Sequence, residues 1–319
     1  MDFSTPPQYT SLANALVSLF GASVAIAHTD RLHGGDINKA YALTLSTGDR
    51  IFMKANAKEN VSFFTAEAAG LSAIAATQAI ATPPILCTGT DDGEEVGYSF
   101  LLLKYIESGK KRADYYEAFA RDLAALHSAD TAPFAANHSA RERDSNGTAP
   151  QKPFGFFQDN FIGARAQNNT PSASWISFFR DRRLAPQFKS ADAHFSAGDR
   201  AKITRLLDRL DEFLVEPEKP SLLHGDLWGG NVLCGADGKA MLIDPAAYVG
   251  HAEADLAMTE LFGGFPPSFY AAYREVRPLQ DGYEDRRDLY NLYHLLNHLN
   301  MFGTGYLGAV LSIVDEYVG

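Results

Sequence analysis

Cysteine is scarce in this chain. Its 319 residues include only Cys87 and Cys234, which lie far apart in unlike surroundings. A disulfide framework or a cysteine-based zinc site needs several cysteines at short spacings, so both are excluded. The sequence therefore predicts a protein of a reducing compartment, the cytoplasm.

Basic residues are outnumbered, and no run of Lys and Arg is interleaved with aromatic residues. The 28 basic and 39 acidic residues give a net charge of −11. Binding to a nucleic-acid backbone depends on a basic surface, so no nucleic-acid partner is predicted.

Long apolar runs are lacking too. The most apolar stretch near the start, residues 12–27, has no Lys or Arg before it and is interrupted by Asn14, Ser18, Gly21 and Ser23. A signal peptide or a membrane span needs an unbroken apolar segment. We therefore expect a short helix ending near Gly21, a strand from Val24, and no membrane partner.

One segment carries most of the functional information. Residues 222–233 read Leu-Leu-His-Gly-Asp-Leu-Trp-Gly-Gly-Asn-Val-Leu, which places His224, Asp226 and Asn231 in the H-x-D-x-x-x-x-N spacing of a kinase catalytic loop. Asp244 ends the next apolar run. This pattern predicts phosphoryl transfer from ATP.

Each of these residue types suits one part of that reaction. A carboxylate such as Asp226 can orient the attacking hydroxyl and accept its proton. Mg²⁺ prefers oxygen ligands, which Asn231 and Asp244 supply on either side of a predicted hairpin that would hold them close together. His-Gly-Asp alone is also compatible with an ordinary turn, but the full pattern followed by Asp244 favours a kinase. For His224, bracing of the loop is favoured over proton transfer.

A strand-rich region with one helix is predicted over residues 24–106. Strands at residues 24–29 and 41–45 flank a turn that contains Gly34 and Gly35, where backbone amides can approach phosphates without hindrance from a Cβ. A plain hairpin turn is the alternative, because G-x-G-x-x-G is absent.

Lys54 is predicted to close the third strand, where its ammonium can reach the α and β phosphates of ATP. A helix over residues 60–76 follows, with apolar residues at helical spacing around Glu67. Glu67 is the expected ion-pair partner of Lys54, although an exposed helical acid is an alternative. A hairpin over residues 85–105 leads to the lobe connection, whose backbone is expected to meet the adenine edge at Lys104, Tyr105 and Ile106.

The rest of the chain is predicted to be mainly helical. From Asp114 an apolar stripe runs to His127, which is interpreted as a capping or core residue. Residues 129–153 lack periodicity and are expected to form a mobile loop. Further helices are predicted over residues 172–189 and 198–215, and two more over residues 286–318.

With these residues in place, the chain resembles the fructosamine (ketosamine) kinase family, relatives of aminoglycoside and choline kinases. The similarity extends over nearly the whole chain and is carried by Lys54 and by residues 34–41, 67–71, 154–156, 175–184, 224–231 and 244–256. The resemblance implies an α+β, bilobal, protein-kinase-like fold. A small antiparallel β-sheet lobe with one helix would occupy residues 1–106, and a larger, mainly helical lobe with the catalytic loop would occupy residues 107–319.

The resemblance also implies a reaction: phosphorylation, dependent on ATP and Mg²⁺, of a sugar hydroxyl on a ketosamine, the adduct of a sugar with an amine. Phosphorylation would destabilise the adduct, so that a glycated protein is repaired. By position, Asp226 would be the base, and Asn231 and Asp244 would bind Mg²⁺. The other implied roles are nucleotide binding by Gly34, Gly35, Asn38, Lys54 and Glu67, substrate contact by Trp228 and His251, and bracing of the loop by His224 and Asp255. Simple packing is the alternative for Trp228.

Other hypotheses stay open on the sequence alone. The nearest keeps the kinase mechanism but phosphorylates another small hydroxyl compound, such as an aminoglycoside or choline. A catalytically inactive, kinase-like binding module would normally lack a member of the set Lys54, Asp226, Asn231 and Asp244, yet all are present. A metal-dependent hydrolase would need several His or acidic ligands around one metal, and the kinase spacing argues against it.

Overall fold

The computed structural model describes residues 6–32, 37–93, 96–135 and 153–319. Two compact units make up the chain: the first consists of Met1–Tyr115 and Val232–Pro245, and the second of Tyr116–Asn231 and Ala246–Gly319. Gly34, Gly35 and most of the predicted loop at 129–153 lie outside the described residues. The assignment of one lobe to nucleotide and the other to catalysis stays a prediction.

Six strands form the sheet of the first unit: β1 (Gln8–Tyr9), β2 (Ile26–Leu32), β3 (Lys39–Leu45), β4 (Arg50–Ala57), β5 (Ile85–Asp91) and β6 (Tyr98–Lys104). They stand in the order β1-β5-β6-β4-β3-β2. The pairing is antiparallel except between the short edge strand β1 and β5. The predicted antiparallel sheet is thus confirmed for five of its strands.

Two strand predictions need correction. β2 begins at Ile26 and not at Val24. β4 continues past Lys54 to Ala57, because its ladder with β6 extends to the pair Ala57 and Tyr98. Lys54 therefore lies within a strand and is held by pairing on both sides, not at a strand end.

Helices α1 (Leu12–Phe20) and α2 (Val61–Ala76) belong to two separate hydrophobic clusters of the sheet. Strand β6 contributes to both clusters, because its side chains alternate between the two faces of the sheet. Phe100 and Leu102 pack with α1, whereas Leu101 and Leu103 pack with α2. Successive side chains of a strand point to opposite faces, so a fully apolar strand serves both helices. The short N-terminal helix and the single long helix are as predicted.

Helices dominate the second unit: α3 (Tyr115–Ser128), α4 (Ala132–Ala135), α5 (Trp175–Phe178), α6 (Ala185–Ser190), α7 (Ala197–Asp208), α8 (Leu210–Phe213), α9 (Ala252–Leu261), α10 (Pro267–Val276), α11 (Tyr283–Phe302) and α12 (Leu307–Val318). Within the described ranges, none of the helices combines the length and the apolar character that a bilayer crossing demands.

Short strands complete the structure: β7 (Asn160–Ile162), β8 (Arg165–Gln167), β9 (Ser221–Leu223), β10 (Val232–Cys234), β11 (Ala240–Leu242) and β12 (Tyr248–Gly250). They form three antiparallel pairs: β7 with β8, β9 with β12, and β10 with β11. β9 leads directly into the segment with the kinase spacing, so its pairing with β12 fixes where that segment begins.

Two predicted helices are interrupted. The helix expected at 172–189 contains a π-helical segment, Phe179–Leu184, between α5 and α6. Pro186 in the first turn of α6 lacks the N–H that a regular α-helix would use there, which accounts for the wider turn. The helix expected at 198–215 is broken at Arg209, between α7 and α8. The two predicted C-terminal helices are confirmed as α11 and α12.

Candidate active site

Lys54 is the centre of a polar cluster in the first unit. Its Nζ donates hydrogen bonds to Glu67 Oε1 at 2.7 Å and to Asp244 Oδ1. The side chains of Lys54 and Glu67 are largely buried, whereas that of Asp244 is 40% exposed. The predicted Lys54–Glu67 ion pair is confirmed, and the contact of Lys54 with Asp244 joins it to the residue proposed for the metal.

The charges of this cluster depend on one another. Burial alone would lower the pKa of Lys54, but the Asp244 and Glu67 carboxylates outweigh it and raise that pKa above its ordinary value. Burial raises the pKa of Glu67, and Lys54 only partly offsets this. Lys54 is therefore a cation at physiological pH, and it is shared between the buried carboxylate of Glu67 and the partly exposed carboxylate of Asp244.

Asp244 has an unusual backbone. Strand β11 ends at Leu242, which pairs with Val232, so Asp244 lies past the strand and not at its end as predicted. Its φ of 54° is in the left-handed region, which is uncommon for a residue with a side chain. Such conformations cluster at functional sites, which is consistent with a role for Asp244 there. The predicted proximity of Asp244 to Asn231, which immediately precedes β10, stays a prediction.

The other residues of the first unit that are predicted to contact nucleotide have protein neighbours of their own. Asn38 Oδ1 accepts a hydrogen bond from Asn56 Nδ2 at 2.6 Å. The Tyr105 ring lies under the Arg50 guanidinium, 3.8 Å from its carbon, and Lys104 is the last residue of β6. The roles of Asn38, Lys104, Tyr105 and Ile106 remain predictions.

In the second unit, Asn231 and Asp226 contact each other within the predicted catalytic loop. Asn231 Nδ2 donates to the Asp226 backbone oxygen at 2.8 Å and to its carboxylate Oδ2 at 3.1 Å. Asn231 is buried and ends a short 3₁₀ turn that begins at Gly229. Because the amide nitrogen is committed to Asp226, the amide oxygen of Asn231 is the group left for a cation.

Asp255 holds the start of this loop. Its buried carboxylate accepts the backbone N–H of His224 at 2.7 Å and that of Gly225 at 2.9 Å. His224 in turn places its Nδ1 3.3 Å from the backbone nitrogen of Asp226. The predicted bracing by Asp255 and His224 is thus present, and it fixes the backbone immediately before the predicted base.

A buried histidine and tyrosine extend this brace. His127 Nε2 lies 3.2 Å from Asp255 Oδ2, and its Nδ1 lies 2.7 Å from the Tyr273 hydroxyl. Burial lowers the pKa of His127, so the ring is neutral. An ionised Asp255 can only accept, so Nε2 carries the proton and Nδ1 accepts from Tyr273.

Asp255 is ionised in this arrangement. Burial would raise its pKa, but the hydrogen bonds that its carboxylate accepts from His127 and from the backbone N–H of Gly225 outweigh burial and lower it. The sequence interpretation treated His127 as a core or capping residue and missed its contact with Asp255. Its position at the end of an apolar helical stripe was the one available signal.

Gly225 allows a close backbone approach. Its φ is 80°, and a Cβ at this position would lie 2.2 Å from the carbonyl oxygen of Ala246. That oxygen also accepts a hydrogen bond from Gln167 Nε2 at 3.1 Å, while Asn160 Nδ2 donates to the oxygen of Ala247 at 2.8 Å. Buried amides from β7 and β8 therefore fix the surface on which the loop rests.

The same network ends on a buried arginine. Arg183 Nη2 donates to Asn169 Oδ1 at 2.6 Å, and Asn169 Nδ2 donates to Asn160 Oδ1 at 2.8 Å. The Arg183 guanidinium carbon also lies 4.0 Å from the centroid of the Tyr248 ring in β12. The sequence alone does not identify Asn160 and Gln167 as part of this network, because isolated amide residues in short strands resemble ordinary surface residues.

Trp228 and His251 differ in exposure. Trp228 is 41% exposed, and a Cβ on Gly230 would lie 2.2 Å from its ring, so the ring lies directly over that glycine. His251 is buried: its Nδ1 accepts from the Glu253 N–H at 3.2 Å and its Nε2 lies 2.8 Å from Gln280 Oε1. Nδ1 of His251 thus caps α9 and Nε2 contacts the Gln280 side chain, and the contact of His251 with substrate stays a prediction.

Comparison with known proteins gives consistent matches. A family model described as fructosamine kinase matches residues 8–319. A protein of Synechocystis sp. named a probable ketoamine kinase is 37% identical, with 96% of this chain and 95% of that protein covered. The chloroplastic protein-ribulosamine 3-kinase of Arabidopsis thaliana is 35% identical, with 99% of this chain and 93% of that protein covered.

Solved structures agree with this result. A crystal structure from Haemophilus somnus 129PT, assigned as a fructosamine-3-kinase, has a TM-score of 0.79 at 29% identity and covers 97% of each chain. Small-molecule phosphotransferases at 11% and 14% identity have TM-scores of 0.54 and 0.56, which shows a shared fold alone. The predicted kinase-like α+β fold is confirmed.

Proposed function

The chain belongs to the fructosamine kinase family, and on that premise we propose that it transfers the γ-phosphoryl group of ATP to a sugar hydroxyl of a ketosamine, with Asp226 as the base. The observation that carries the proposal is the braced loop. Asp255 fixes the backbone N–H groups of His224 and Gly225, the two residues that precede Asp226. A base must hold its position to within a fraction of an ångström to act on a hydroxyl, and this brace supplies that constraint.

Asp226 would orient the hydroxyl and accept its proton as the new bond to phosphorus forms. The Asn231 amide donates to the Asp226 carboxylate at 3.1 Å, which restricts the rotation of that carboxylate.

The residues of the first unit suit the nucleotide. We assign Lys54 to the phosphates, positioned by Glu67, which lies 2.7 Å from its Nζ. The amide oxygen of Asn231 and the partly exposed carboxylate of Asp244 are hard oxygen donors, a set that fits Mg²⁺. When bound, such an ion would neutralise phosphate charge. Asp244 would then exchange its contact with Lys54 for the ion.

We propose a ketosamine as the acceptor because the related proteins of Synechocystis and Arabidopsis carry names for ketoamine and protein-ribulosamine kinases. The net charge of −11 favours a substrate with a cationic amine. Trp228, exposed beside the predicted base, is assigned to the sugar. Repair of glycated proteins in the cytoplasm is the finer proposal; the Arabidopsis relative is named as chloroplastic.

A catalytically inactive binding module is a weaker hypothesis, because Lys54, Asp226, Asn231 and Asp244 are all retained and Lys54 is correctly paired. Another small hydroxyl compound as acceptor would leave the same residues in the same roles. The choice between a ketosamine and another hydroxyl compound therefore depends on which acceptor is phosphorylated and not on the catalytic residues.

The test is ATP consumption by the purified protein with Mg²⁺ against ribulosamine and fructosamine derivatives of lysine, with choline and an aminoglycoside as controls. We expect turnover on the ketosamines alone. Turnover only on a control would keep the kinase and reject the acceptor class. No turnover on any of the four, with nucleotide still bound, would favour the binding module.

A further inference from the structure

Four aromatic side chains of the second unit form a half-exposed surface, which we term the aromatic face: Phe262, His298, Phe302 and Tyr306. The centroid of the His298 ring lies 5.0 Å from that of Phe262, 5.4 Å from that of Phe302 and 5.1 Å from that of Tyr306. Phe262 is 43% exposed and Phe302 is 51% exposed. Exposed apolar side chains in mutual contact mark binding surfaces, whereas isolated ones are common anywhere.

The aromatic face is continuous with the catalytic loop. A Cβ placed on Gly229 would lie 3.9 Å from the oxygen of Gly263, and one on Gly264 would lie 3.8 Å from the Cα of Gly229. The segment after Trp228 therefore runs beside the segment after Phe262. All three glycines are exposed, so no side chain of these two segments separates Trp228 from the aromatic face.

The aromatic face also offers one directed polar atom. His298 Nδ1 lies 2.8 Å from the carbonyl oxygen of His294, and a carbonyl only accepts, so Nδ1 carries the proton. The tautomer with its proton on Nδ1 leaves Nε2 as an acceptor, and none of the described residues donates to it. Aromatic rings around a single acceptor suit a peptide, whose side chains pack on the rings while a backbone N–H donates to the nitrogen.

We propose that the aromatic face binds the polypeptide that carries the glycated lysine, so that protein-bound ketosamines are preferred over free ones. This inference rests on the proposed kinase activity. The sugar hydroxyl must reach Asp226, two residues before Trp228. The remainder of the acceptor then extends along the side-chain-free path at Gly229 and Gly263 towards the rings of the aromatic face.

The test compares two acceptors: a short synthetic peptide with one ribulosamine-modified lysine, and free ribulosyl-lysine. The variants are Phe262→Ser and Phe302→Ser. Val276→Ser is the matched control, because Val276 is 51% exposed, as Phe302 is, and lies at the end of α10 outside the aromatic face. Thermal unfolding of each variant identifies any that are not folded.

We expect kcat/KM on the peptide to fall about tenfold in Phe302→Ser, as for an aromatic contact in an interface, with free ribulosyl-lysine unchanged within about twofold. Val276→Ser should leave both values unchanged. Equal losses on both acceptors, or no loss on either, would overturn the inference while leaving the kinase intact. Failure of the wild-type protein to phosphorylate either acceptor would instead reject the proposed function.

A second measurement uses the unmodified peptide, which cannot itself be phosphorylated. The unmodified peptide should competitively inhibit phosphorylation of the modified peptide by the wild-type protein, because it still occupies the aromatic face. That inhibition should be at least fivefold weaker in Phe302→Ser, roughly half of the effect expected on kcat/KM. Equal inhibition of the two proteins would contradict the proposal.

Discussion

The Asp255→Asn substitution tests the brace with almost no change in shape. Asp255 Oδ2 accepts from the His224 N–H and from His127, whereas Oδ1 accepts from the Gly225 N–H and from no other described residue. An asparagine would place its oxygen where two donors meet and its NH₂ against the N–H of Gly225. One buried backbone N–H would then face another donor.

The magnitude follows from these contacts. An unsatisfied buried N–H costs about 1–3 kcal/mol, and loss of the charge weakens the remaining bonds by about 1 kcal/mol. We therefore expect Asp255→Asn to lower the free energy of unfolding by about 3 kcal/mol. Displacement of the loop should also lower kcat by up to about 100-fold, with a smaller change in KM.

The assay is urea unfolding together with steady-state kinetics at saturating ATP. Asp315→Asn is the control, since the Asp315 side chain is 53% exposed and pairs with Lys202 at the surface. Its unfolding free energy should change by less than about 0.5 kcal/mol. An Asp255→Asn protein within about 1 kcal/mol of wild type, with normal kcat, would refute the argument that this carboxylate holds the loop.

Three further predictions concern other parts of the structure. Gly225→Ala should lower the free energy of unfolding in urea by more than about 2 kcal/mol, because the new Cβ would lie 2.2 Å from the Ala246 oxygen at a φ of 80°. Gly229→Ala is the control: its Cβ would lie 3.9 Å from the nearest atom, so its unfolding free energy should be nearly unchanged. Burial lowers the pKa of His294 to about 3, so below its ordinary value of 6.5 only the unfolded chain gains a proton. Stability should therefore fall by about 1.4 kcal/mol per pH unit from 6.5 towards 3, and the slope should be shallower in His294→Leu. Lys54→Met should lower kcat at least about 100-fold in the ATP-consumption assay, since a fixed cation is lost from the phosphates, and normal turnover would reject its role.

The parts of the fold that sequence predicts well are those set by local pattern. Alternation and turn residues indicated the strands of the first unit, and apolar residues at helical spacing indicated α2 and α3. The spacing of His224, Asp226 and Asn231 identified the catalytic loop because this chemistry requires those residue types at those positions. Lys54 and Glu67 could be paired because a strand followed by an amphipathic helix brings them together.

Contacts between distant parts of the chain were less accessible. His127, Asp255 and Tyr273 lie in three different helices, and nothing local in the sequence indicates that their side chains meet. The left-handed backbone of Asp244 is uncommon for a residue with a side chain, and nothing in the sequence around it indicates that conformation. These are the features that required the structure.

The central claim is that Asp226 is the base of a ketosamine kinase. The most direct measurement compares the wild-type protein with Asp226→Asn in the transfer of labelled phosphate from ATP to free ribulosyl-lysine. Calorimetry on both proteins measures their affinity for the nucleotide. We predict unchanged ATP affinity in the variant and a loss of transfer of about 10³-fold, within the range for removal of a general base. Transfer by Asp226→Asn at the wild-type rate would contradict the claim.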